Sequence, residues 1–246
     1  MLNQANTESL SVILAAYNEA ENLSFLLPRL ISILNQITSD NEILVVDTQQ
    51  PMDNTREICE MYSVKYLNRQ GSNNYGDAIR TGIKNSSGKY VIIMDSDGSH
   101  KPEFITELWK VRGQAEVIIA SRYLSGGKTN NPWMLVFMSK ILNLFFKYFV
   151  KIPALDVSNS FRLYDGDRLR SLKLEFSHFD IVEEILAKMI WEIQPPSKVL
   201  ELPFEFGKRI SGKSKRNLLV FSYNFLLAIF RLNQIRKDAK RNTLNS

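Results

Sequence analysis

The chain has 246 residues, of which 44% are apolar and 23% are charged. This size and composition allow one sizeable buried core and exclude a disordered, collagen-like or disulfide-stapled chain. The only cysteine of the sequence, Cys59, lies in a stretch that is predicted to be helical. Because no histidine lies beside it, we interpret it as a half-buried thiol rather than a nucleophile.

Positive charge is concentrated at one end of the chain. The net charge is +5, yet residues 201–246 contain ten Lys or Arg against three Asp or Glu. This asymmetry favours a polyanionic partner, either phospholipid headgroups or a phosphorylated substrate, with a solvated basic tail as the alternative.

The sequence predicts a cytoplasmic protein that lies on a membrane without crossing it. The first ten residues lack the basic and apolar regions of a secretory signal. The longest uncharged run, residues 217–230, is shorter than the roughly 20 apolar residues that span a bilayer.

Short apolar runs alternate with stretches of helical periodicity over the first half of the chain. The predicted strands are 11–16, 42–47, 64–68, 90–94 and 117–121, and the predicted helices are 21–37, 54–62 and 75–85. This alternation predicts a parallel sheet with helices on both faces. Ligands of such sheets bind beyond the carboxyl ends of the strands.

A long apolar stretch, residues 132–152, follows the alternating region. Its lysines, which spacings of seven and four place on one helical face, are Lys140, Lys147 and Lys151. The apolar opposite face is typical of a helix at a membrane interface, although a core helix with solvated lysines fits equally well. A second apolar stretch with basic flanks, residues 218–232, favours membrane contact.

The segment Asp95-Ser96-Asp97-Gly98 directly follows a predicted strand. Residues two apart in an extended chain point to the same side, so both carboxylates can face one site. Such oxygen ligands suit Mg²⁺ or Mn²⁺, which often bridges substrate phosphates and neutralises a departing nucleoside diphosphate. A capped turn is the alternative, and these residues alone do not separate glycosyl transfer from nucleotidyl transfer.

Eight segments of the sequence resemble, in order, the large inverting glycosyltransferase family two. They are SVILAAYNEAENL, EILVVD, GDAIRTG, YVIIMDSDGSHKPEFI, ASRYLSGG, DVSNSFRLY, FDIVEEIL and ELPFEFGKRISGKSK. The last four most resemble the dolichol-phosphate mannose synthase branch. The resemblance implies a GT-A fold, which is an α/β fold with a Rossmann-like, mostly parallel sheet flanked by helices.

The resemblance also implies a domain organisation. The glycosyltransferase domain would cover residues 1–215, with a nucleotide-binding half over 1–100 and an acceptor half over 101–215. Beyond the resemblance, which ends at about Lys215, the basic charge and the apolar stretch 218–232 predict a basic, amphipathic helical tail over residues 216–246.

Individual residue roles also follow from the resemblance. Donor-binding roles fall on Ala16, Tyr17, Glu19, Asp47, Asp95 and Ser96. Metal-ligand roles fall on Asp95, Asp97 and Ser99. Catalytic roles fall on Asp97, Arg122 and Arg209. Acceptor or phosphate-binding roles fall on Ser139, Arg162, Ser214 and Lys215. Arginine suits phosphate because its planar fork stays charged, although an internal ion pair is the alternative for Arg122.

The sequence departs from the family pattern at three places. The family's D-D-G-S is replaced by Asp47-Thr48-Gln49-Gln50-Pro51, which leaves base recognition open. The S-G-F-R of the mannose synthases is replaced by Asn159-Ser160-Phe161-Arg162. Leu135 stands where the branch tends to have an arginine four residues before Ser139, which weakens the case for a lipid-phosphate acceptor.

No nucleophile-and-base pair for a covalent intermediate stands out, which favours a single in-line displacement with inversion. A polyprenyl phosphate acceptor needs no general base, whereas a sugar hydroxyl does, and Glu184 is then the candidate. We interpret His100 as a residue that shapes its loop and His178 as part of a helix cap.

The favoured function is transfer of a hexose from a GDP- or UDP-sugar to a polyprenyl phosphate at the inner face of a membrane. The alternatives are transfer to a lipid-linked saccharide and, less favoured, nucleotidyl transfer. A catalytically dead scaffold at the membrane surface is the least favoured reading. No nucleic-acid partner is expected, and the oligomeric state is left open.

Overall fold

The computed structural model describes residues 8–130, 132–211 and 218–244. Within them, the strands are β1 (Leu10–Ala15), β2 (Asn41–Asp47), β3 (Lys65–Asn68), β4 (Tyr90–Asp95), β5 (Val117–Ser121), β6 (Lys128–Thr129), β7 (Arg162–Asp165), β8 (Val199–Pro203) and β9 (Glu205–Phe206). The α-helices are α1 (Ala20–Ile37), α2 (Thr55–Met61), α3 (Tyr75–Asn85), α4 (Ile105–Lys110), α5 (Trp133–Phe145), α6 (Gly166–Ser171), α7 (Ile181–Trp191) and α8 (Leu218–Leu244). The predicted strands and helices of the first half agree with these bounds to within one residue at each end.

The main sheet has the strand order β3-β2-β1-β4-β7-β5-β8, and β6 pairs with β9 beside it. β1 pairs in parallel with β2 on one side and with β4 on the other. Because the strand order reverses here, a crevice opens at the carboxyl ends of β1 and β4.

β7 runs antiparallel between β4 and β5. Strands from residues 1–100 and from 101–215 therefore belong to one sheet, and backbone hydrogen bonds join the two predicted halves. The predicted mostly parallel sheet flanked by helices is confirmed, whereas the antiparallel strand was not predicted.

The central strands are buried on both faces because helices cover both sides of the sheet. In β1, Val12 and Leu14 belong to a cluster that includes Leu26 of α1, whereas Ile13 belongs to a second cluster with Ile79 of α3. Burial of each such side chain contributes about 1.5–3 kcal/mol to folding. These two clusters fix the sheet rigidly below the crevice.

The segment Trp133–Val150 is helical throughout, because α5 continues into a π-helical turn. In the described part of the chain it is the one helix long and apolar enough, by length and composition alone, to cross a membrane. The expectation that the chain lies on a membrane without crossing it rested on uncharged runs, which two lysines interrupt in this segment, and it stays a prediction. Lys151 lies beyond the helix in a left-handed conformation (φ 61°), so the predicted lysine face keeps only Lys140 and Lys147.

A helix is also present in the predicted tail. Ala228, Ile229 and Leu232 of α8 are buried in the same cluster as Phe146 and Val150 of the π-helical turn. The middle of α8 therefore packs against the end of the α5 segment.

Candidate active site

A cavity of about 1020 Å³ opens at the carboxyl ends of β1 and β4. The carboxylates that line it, called the acidic cluster below, are Glu19, Asp95 and Asp97. The apolar residues of α5 that line it, called the apolar wall, are Leu135, Met138 and Leu142. Their spacings of three and four place them on one helical face. The cavity thus combines a charged surface with an apolar one.

Asp95 and Asp97 both line the cavity, as their spacing predicted. The Ser160 hydroxyl donates to Asp95 Oδ1 at 2.8 Å. The backbone N–H and the hydroxyl of Ser99 donate to Asp97 Oδ1 at 2.9 and 2.5 Å. Each carboxylate is therefore held in one orientation. Ser99 orients Asp97, and its predicted role as a metal ligand stays a prediction.

Ala16 and Ser96 line the cavity where β1 meets β4. The Ser96 hydroxyl donates to the carbonyl of Ala15 at 2.8 Å, and the Ala16 N–H donates to the carbonyl of Val46 at 2.9 Å. These bonds tie the two loops to the sheet edge. The predicted donor contacts of both residues stay predictions.

Arg209 bridges two members of the acidic cluster. One terminal nitrogen lies 3.0 Å from Glu19 Oε1, and the other lies 2.9 Å from Asp97 Oδ2. Its side chain is 27% exposed, so both ion pairs are partly shielded from water. Arg209 thus lines the cavity paired with carboxylates, and its predicted catalytic role at the phosphates stays a prediction.

Arg122 lines the cavity but is engaged with Asp156. Its Nε and one terminal nitrogen contact the two Asp156 oxygens at 2.8 and 2.7 Å, and the same terminal nitrogen donates to Ser158 Oγ at 2.8 Å. Burial acts to lower the pKa of the guanidinium, but the ion pair outweighs it and raises that pKa. The alternative of an internal ion pair is therefore present, and any contact with phosphate would use the cavity side of the group.

Tyr17 and Arg69 form the wall of the cavity beyond β1. The Arg69 guanidinium lies 6.0 Å from the Tyr17 ring centroid and donates to the carbonyls of Ala16, Asp47 and Asn73. Sequence reasoning missed Arg69. Its position directly after a predicted strand, at the same sheet edge as Asp47, was the signal that could have identified it.

Asp47 is not on the cavity wall, contrary to its predicted donor-binding role. Its side chain is fully buried, and the Tyr66 hydroxyl donates to Asp47 Oδ2 at 3.0 Å. Burial raises the pKa of this carboxyl despite hydrogen bonds from Thr48 and Tyr66. The side chain points toward β3 because Tyr66 of that strand holds it there.

Arg162 and Glu184 are internal residues, so their predicted roles in the site were wrong. Arg162 is fully buried in β7 and donates to the carbonyls of Val182 and Val157 at 2.9 and 2.7 Å. Glu184 is fully buried in α7, and neither residue lines the cavity.

The Glu184 carboxylate caps a loop instead of facing a substrate. It accepts from the backbone N–H groups of Glu175 and Phe176, each at 2.9 Å, and pairs with Lys188 at 3.0 Å. A carboxylate bound in this way cannot serve as a general base for a hydroxyl in the cavity.

Ser139 lines the cavity on α5, next to the apolar wall. Its Oγ lies 3.3 Å from Ser158 Oγ, which in turn contacts Arg122. Leu135 lines the same cavity, so the residue that replaces the family's arginine does face the site. Ser214 and Lys215 lie outside the described residues.

The remaining interpretations concern His100, His178 and Cys59. His100 is fully buried and, as predicted, hydrogen-bonded to the loop that carries the two aspartates, called the acidic loop below (residues 95–99). The His178 N–H donates at 3.0 Å to Asp180, the residue before α7, but the Asp180 side chain accepts no hydrogen bond from the helix, so the predicted cap was wrong. Cys59 is fully buried rather than half-buried.

Residues 11–171 match the family model described as Glycosyl transferase family 2. The match covers more than half of the chain, and the chain belongs to this family. The α/β sheet with its crevice of carboxylates and arginines is thus the fold of a glycosyltransferase, and the resemblance carried by the eight sequence segments is confirmed.

Two curated relatives agree with the predicted branch of the family. The chain is 32% identical to the dolichol-phosphate mannosyltransferase of Pyrococcus furiosus over 90% of its own length and 63% of that protein. It is 29% identical to the polyprenol monophosphomannose synthase of Mycolicibacterium smegmatis over 85% of its own length and 81% of that protein. The chain therefore spans less than two thirds of the length of the first relative.

The fold is shared with a solved glycosyltransferase. Glucosyl-3-phosphoglycerate synthase from Mycobacterium tuberculosis, in complex with Mn²⁺, uridine diphosphate and phosphoglyceric acid, matches with a TM-score of 0.73. The match covers 92% of this chain and 78% of that chain at 14% sequence identity, which shows a common fold.

Proposed function

We propose that this chain transfers a hexose from a GDP- or UDP-sugar to a polyprenyl phosphate at the cytoplasmic face of a membrane. The observation that carries this proposal is the single cavity in which the acidic cluster and Arg209 lie with the apolar wall of α5. A donor diphosphate requires the charged groups of the acidic cluster and Arg209, and a lipid acceptor requires the apolar wall. The names of both curated relatives support the same acceptor class.

Two members of the acidic cluster, Asp95 and Asp97, fit a divalent ion such as Mg²⁺ or Mn²⁺. Carboxylate oxygens are the ligands that these ions prefer. No group of three or more His, Cys, Asp or Glu suited to a metal exists among the described residues. Asp95 and Asp97 would therefore hold the ion together with donor phosphates and water, which is the usual arrangement for Mg²⁺ at substrate phosphates.

An ion held there would neutralise the negative charge that develops on the departing nucleoside diphosphate. The chain's own residues orient the reactants. Ser99 and Ser160 fix the two aspartates, and Arg209 supplies positive charge beside them. Tyr17, backed by Arg69, offers a ring against which a nucleoside can pack.

An acceptor that is already ionised suits this site. The lining carboxylates are Glu19, Asp95 and Asp97, of which the first is bound to Arg209 and the other two flank the proposed metal. Among the described residues, no carboxylate that lines the cavity is therefore available as a general base to remove a proton from an acceptor hydroxyl. In the proposed reaction, a phosphate oxygen of the acceptor attacks the sugar C1, the bond to the donor diphosphate breaks, and the configuration inverts.

We propose that α5 lies in the membrane surface rather than across the bilayer. Leu135 and Ser139 line the cavity, so one side of the helix belongs to the enzyme. Its other side exposes large apolar groups, including Trp133 at 81% and Phe137 at 58%. Such a helix, with Lys140 and Lys147 among its apolar residues, suits the interface between headgroups and acyl chains.

The test is transfer to lipid by the purified chain. The protein is incubated with Mg²⁺ or Mn²⁺, a panel of radiolabelled GDP- and UDP-hexoses, and vesicles that contain a polyprenyl phosphate. We expect label in the organic phase with the lipid phosphate and none with the matched polyprenol that lacks phosphate. Label that requires a lipid-linked saccharide would replace the acceptor, and release of a nucleoside monophosphate instead of a diphosphate would indicate nucleotidyl transfer.

A further inference from the structure

The segment 207–211, which precedes α8, is fastened across the acidic loop. The Gly207 N–H donates to the Ser99 carbonyl and the Ile210 N–H donates to the Asp97 carbonyl, each at 2.9 Å. Gly98, at φ 81°, lies directly beneath Ile210, and a Cβ at this position would be 2.4 Å from Ile210 Cδ1. The backbone on both sides of Arg209 is thus fixed directly over the loop that carries the two aspartates.

The same segment is also tied to the start of α1. The Ser211 N–H donates to Asn22 Oδ1 at 2.9 Å, and the Ser211 hydroxyl donates to Glu21 Oε2 at 2.7 Å. Arg209 therefore has little freedom at its backbone, and only its side chain can change partners. That side chain spans Glu19 and Asp97.

We propose that Arg209 is a tethered counter-ion of Asp97. A divalent ion takes the place of the Arg209 guanidinium at Asp97, and the released guanidinium then binds the donor diphosphate. The Arg209 guanidinium lies 2.9 Å from Asp97 Oδ2, so a divalent ion that approaches this carboxylate meets a positive charge on one of its two oxygens. The other oxygen already accepts two hydrogen bonds from Ser99. The ion alone therefore binds weakly.

A diphosphate changes this balance, because it offers the guanidinium a new anionic partner. Glu19 retains the other terminal nitrogen of Arg209 at 3.0 Å and keeps the group in the cavity. The guanidinium can then leave Asp97 for a phosphate oxygen, which arginine binds with paired hydrogen bonds. Metal and nucleotide consequently bind with positive cooperativity, by linkage through one side chain.

This inference rests on the proposed function for the identity of its ligands, but its test uses binding alone. Mn²⁺ binding to the full chain is measured by electron paramagnetic resonance, without nucleotide and with GDP or UDP. In Arg209→Gln we expect roughly five- to tenfold tighter Mn²⁺ binding without nucleotide, because the competing cation is gone. The same variant should bind GDP or UDP with saturating Mn²⁺ about tenfold more weakly.

Three further variants separate this role from a general effect of charge. Lys208→Gln removes the neighbouring cation of the same cavity. Arg29→Gln removes an exposed arginine of α1, which is paired with Glu103. Both should bind Mn²⁺ alone within about twofold of the parent, since neither contacts Asp97 in the structure. Arg209→Lys keeps the charge and should retain weak binding of Mn²⁺ alone even if Arg209→Gln fails to fold.

Opposite changes in the two affinities of Arg209→Gln would support the proposal. Equal gains in Arg209→Gln and Lys208→Gln would overturn it, because the field of the whole loop would then be the cause. Unchanged Mn²⁺ binding in Arg209→Gln, or tighter binding in Arg209→Lys, would overturn it as well. Opposite changes in a chain that transfers no sugar would leave this inference standing while the proposed function fails.

Discussion

His100 lies fully buried beneath the acidic loop, and its Nδ1 accepts a hydrogen bond of 2.9 Å from the backbone N–H of Asp95. Its Nε2 lies 3.1 Å from Asn159 Oδ1, and the Asn159 amide nitrogen in turn donates to the Ala120 carbonyl. The imidazole therefore carries its proton on Nε2 and connects the end of β4 to the end of β5. Its ring is stacked on Phe161 with centroids 4.9 Å apart.

We expect His100→Ala to impair catalysis as well as stability. Loss of the ring leaves a cavity and an unpaired backbone N–H, which together cost about 2–4 kcal/mol of unfolding free energy. The Asp95 carboxylate should then lose its fixed position, and kcat per folded molecule should fall by about tenfold or more. The measurements are urea denaturation and initial transfer rates at a temperature where the variant is folded.

Phe104→Ala is the matched control, because Phe104 packs against Phe161 in the same aromatic group without bonding the acidic loop. It should lose a comparable amount of stability and keep its kcat. His100→Gln, which restores an acceptor, should recover part of the rate. If His100→Ala and Phe104→Ala had the same kcat per folded molecule, His100 would be only a packing residue.

Asp97→Asn should reduce transfer by at least about a hundredfold with little change in unfolding free energy. The amide is the same size as the carboxylate but cannot hold a divalent ion with the same charge. Asp167→Asn on α6, whose side chain is 90% exposed, is the control for loss of one carboxylate. Undiminished turnover in Asp97→Asn would remove the acidic loop from the mechanism.

The sequence predicted the sheet edge well and the side-chain directions poorly. Apolar runs that end at or just before Tyr17, Asp47 and Asp95 located the carboxyl ends of the strands, because that pattern depends only on local periodicity. Which way Asp47 turns depends on Tyr66 of the neighbouring strand, which no local pattern reveals.

Long-range pairing explains the other differences. Arg162 opens an antiparallel strand opposite Ile93 and Ile119, so its side chain enters the core, although its motif resembles a phosphate site. Arg209 was expected in the site and does line the cavity, but its bridge joins residues 190 and 112 positions away. Contacts over such distances are set by tertiary packing rather than by motif.

Asp156→Ala should destabilise the protein by about 3–5 kcal/mol, because it leaves the Arg122 charge buried without its partner. Arg122 and Asp156 side chains are only 10% and 0% exposed. Asp167→Ala, which breaks the exposed pair with Arg170, should cost less than about 0.5 kcal/mol. Urea titration measures both, and a loss below about 1 kcal/mol in Asp156→Ala would mean that water or phosphate reaches Arg122 readily.

Cys59 should react slowly with iodoacetamide at pH 8.5 until the chain unfolds. Burial raises the pKa of this thiol to about 12, helped by the negative charges of Asp47 and Glu60. The thiolate is the reactive form, and an unfolded thiol has a pKa near 8.5. Labelling is followed by mass spectrometry with and without urea, and rapid labelling of the folded chain would contradict the buried position.

The raised pKa of the Cys59 thiol also predicts that the stability of the protein falls as the pH rises above the pKa of the unfolded thiol. The folded thiol keeps its proton at pH values where the unfolded one loses it. The contribution of Cys59 is therefore fully present below about pH 8.5 and is lost as the pH rises toward 12, by up to about 1.4 kcal/mol per pH unit. Stability measured between pH 8.5 and 10 should fall more steeply in the parent than in Cys59→Ala, and parallel curves would argue against the shift.

The exposed side of α5 should provide most of the membrane affinity. Trp133 and Phe137 are 81% and 58% exposed, and transfer of each ring into a lipid interface would contribute up to about 1.5–3 kcal/mol. The double variant Trp133→Ser with Phe137→Ser should therefore bind anionic vesicles at least about tenfold more weakly in co-sedimentation. Phe25→Ser, which removes a 55% exposed ring from α1, is the matched control and should bind like the parent. Equal binding by all three proteins would mean that α5 does not face the lipid, and the apolar wall of the cavity would then have no lipid surface beside it.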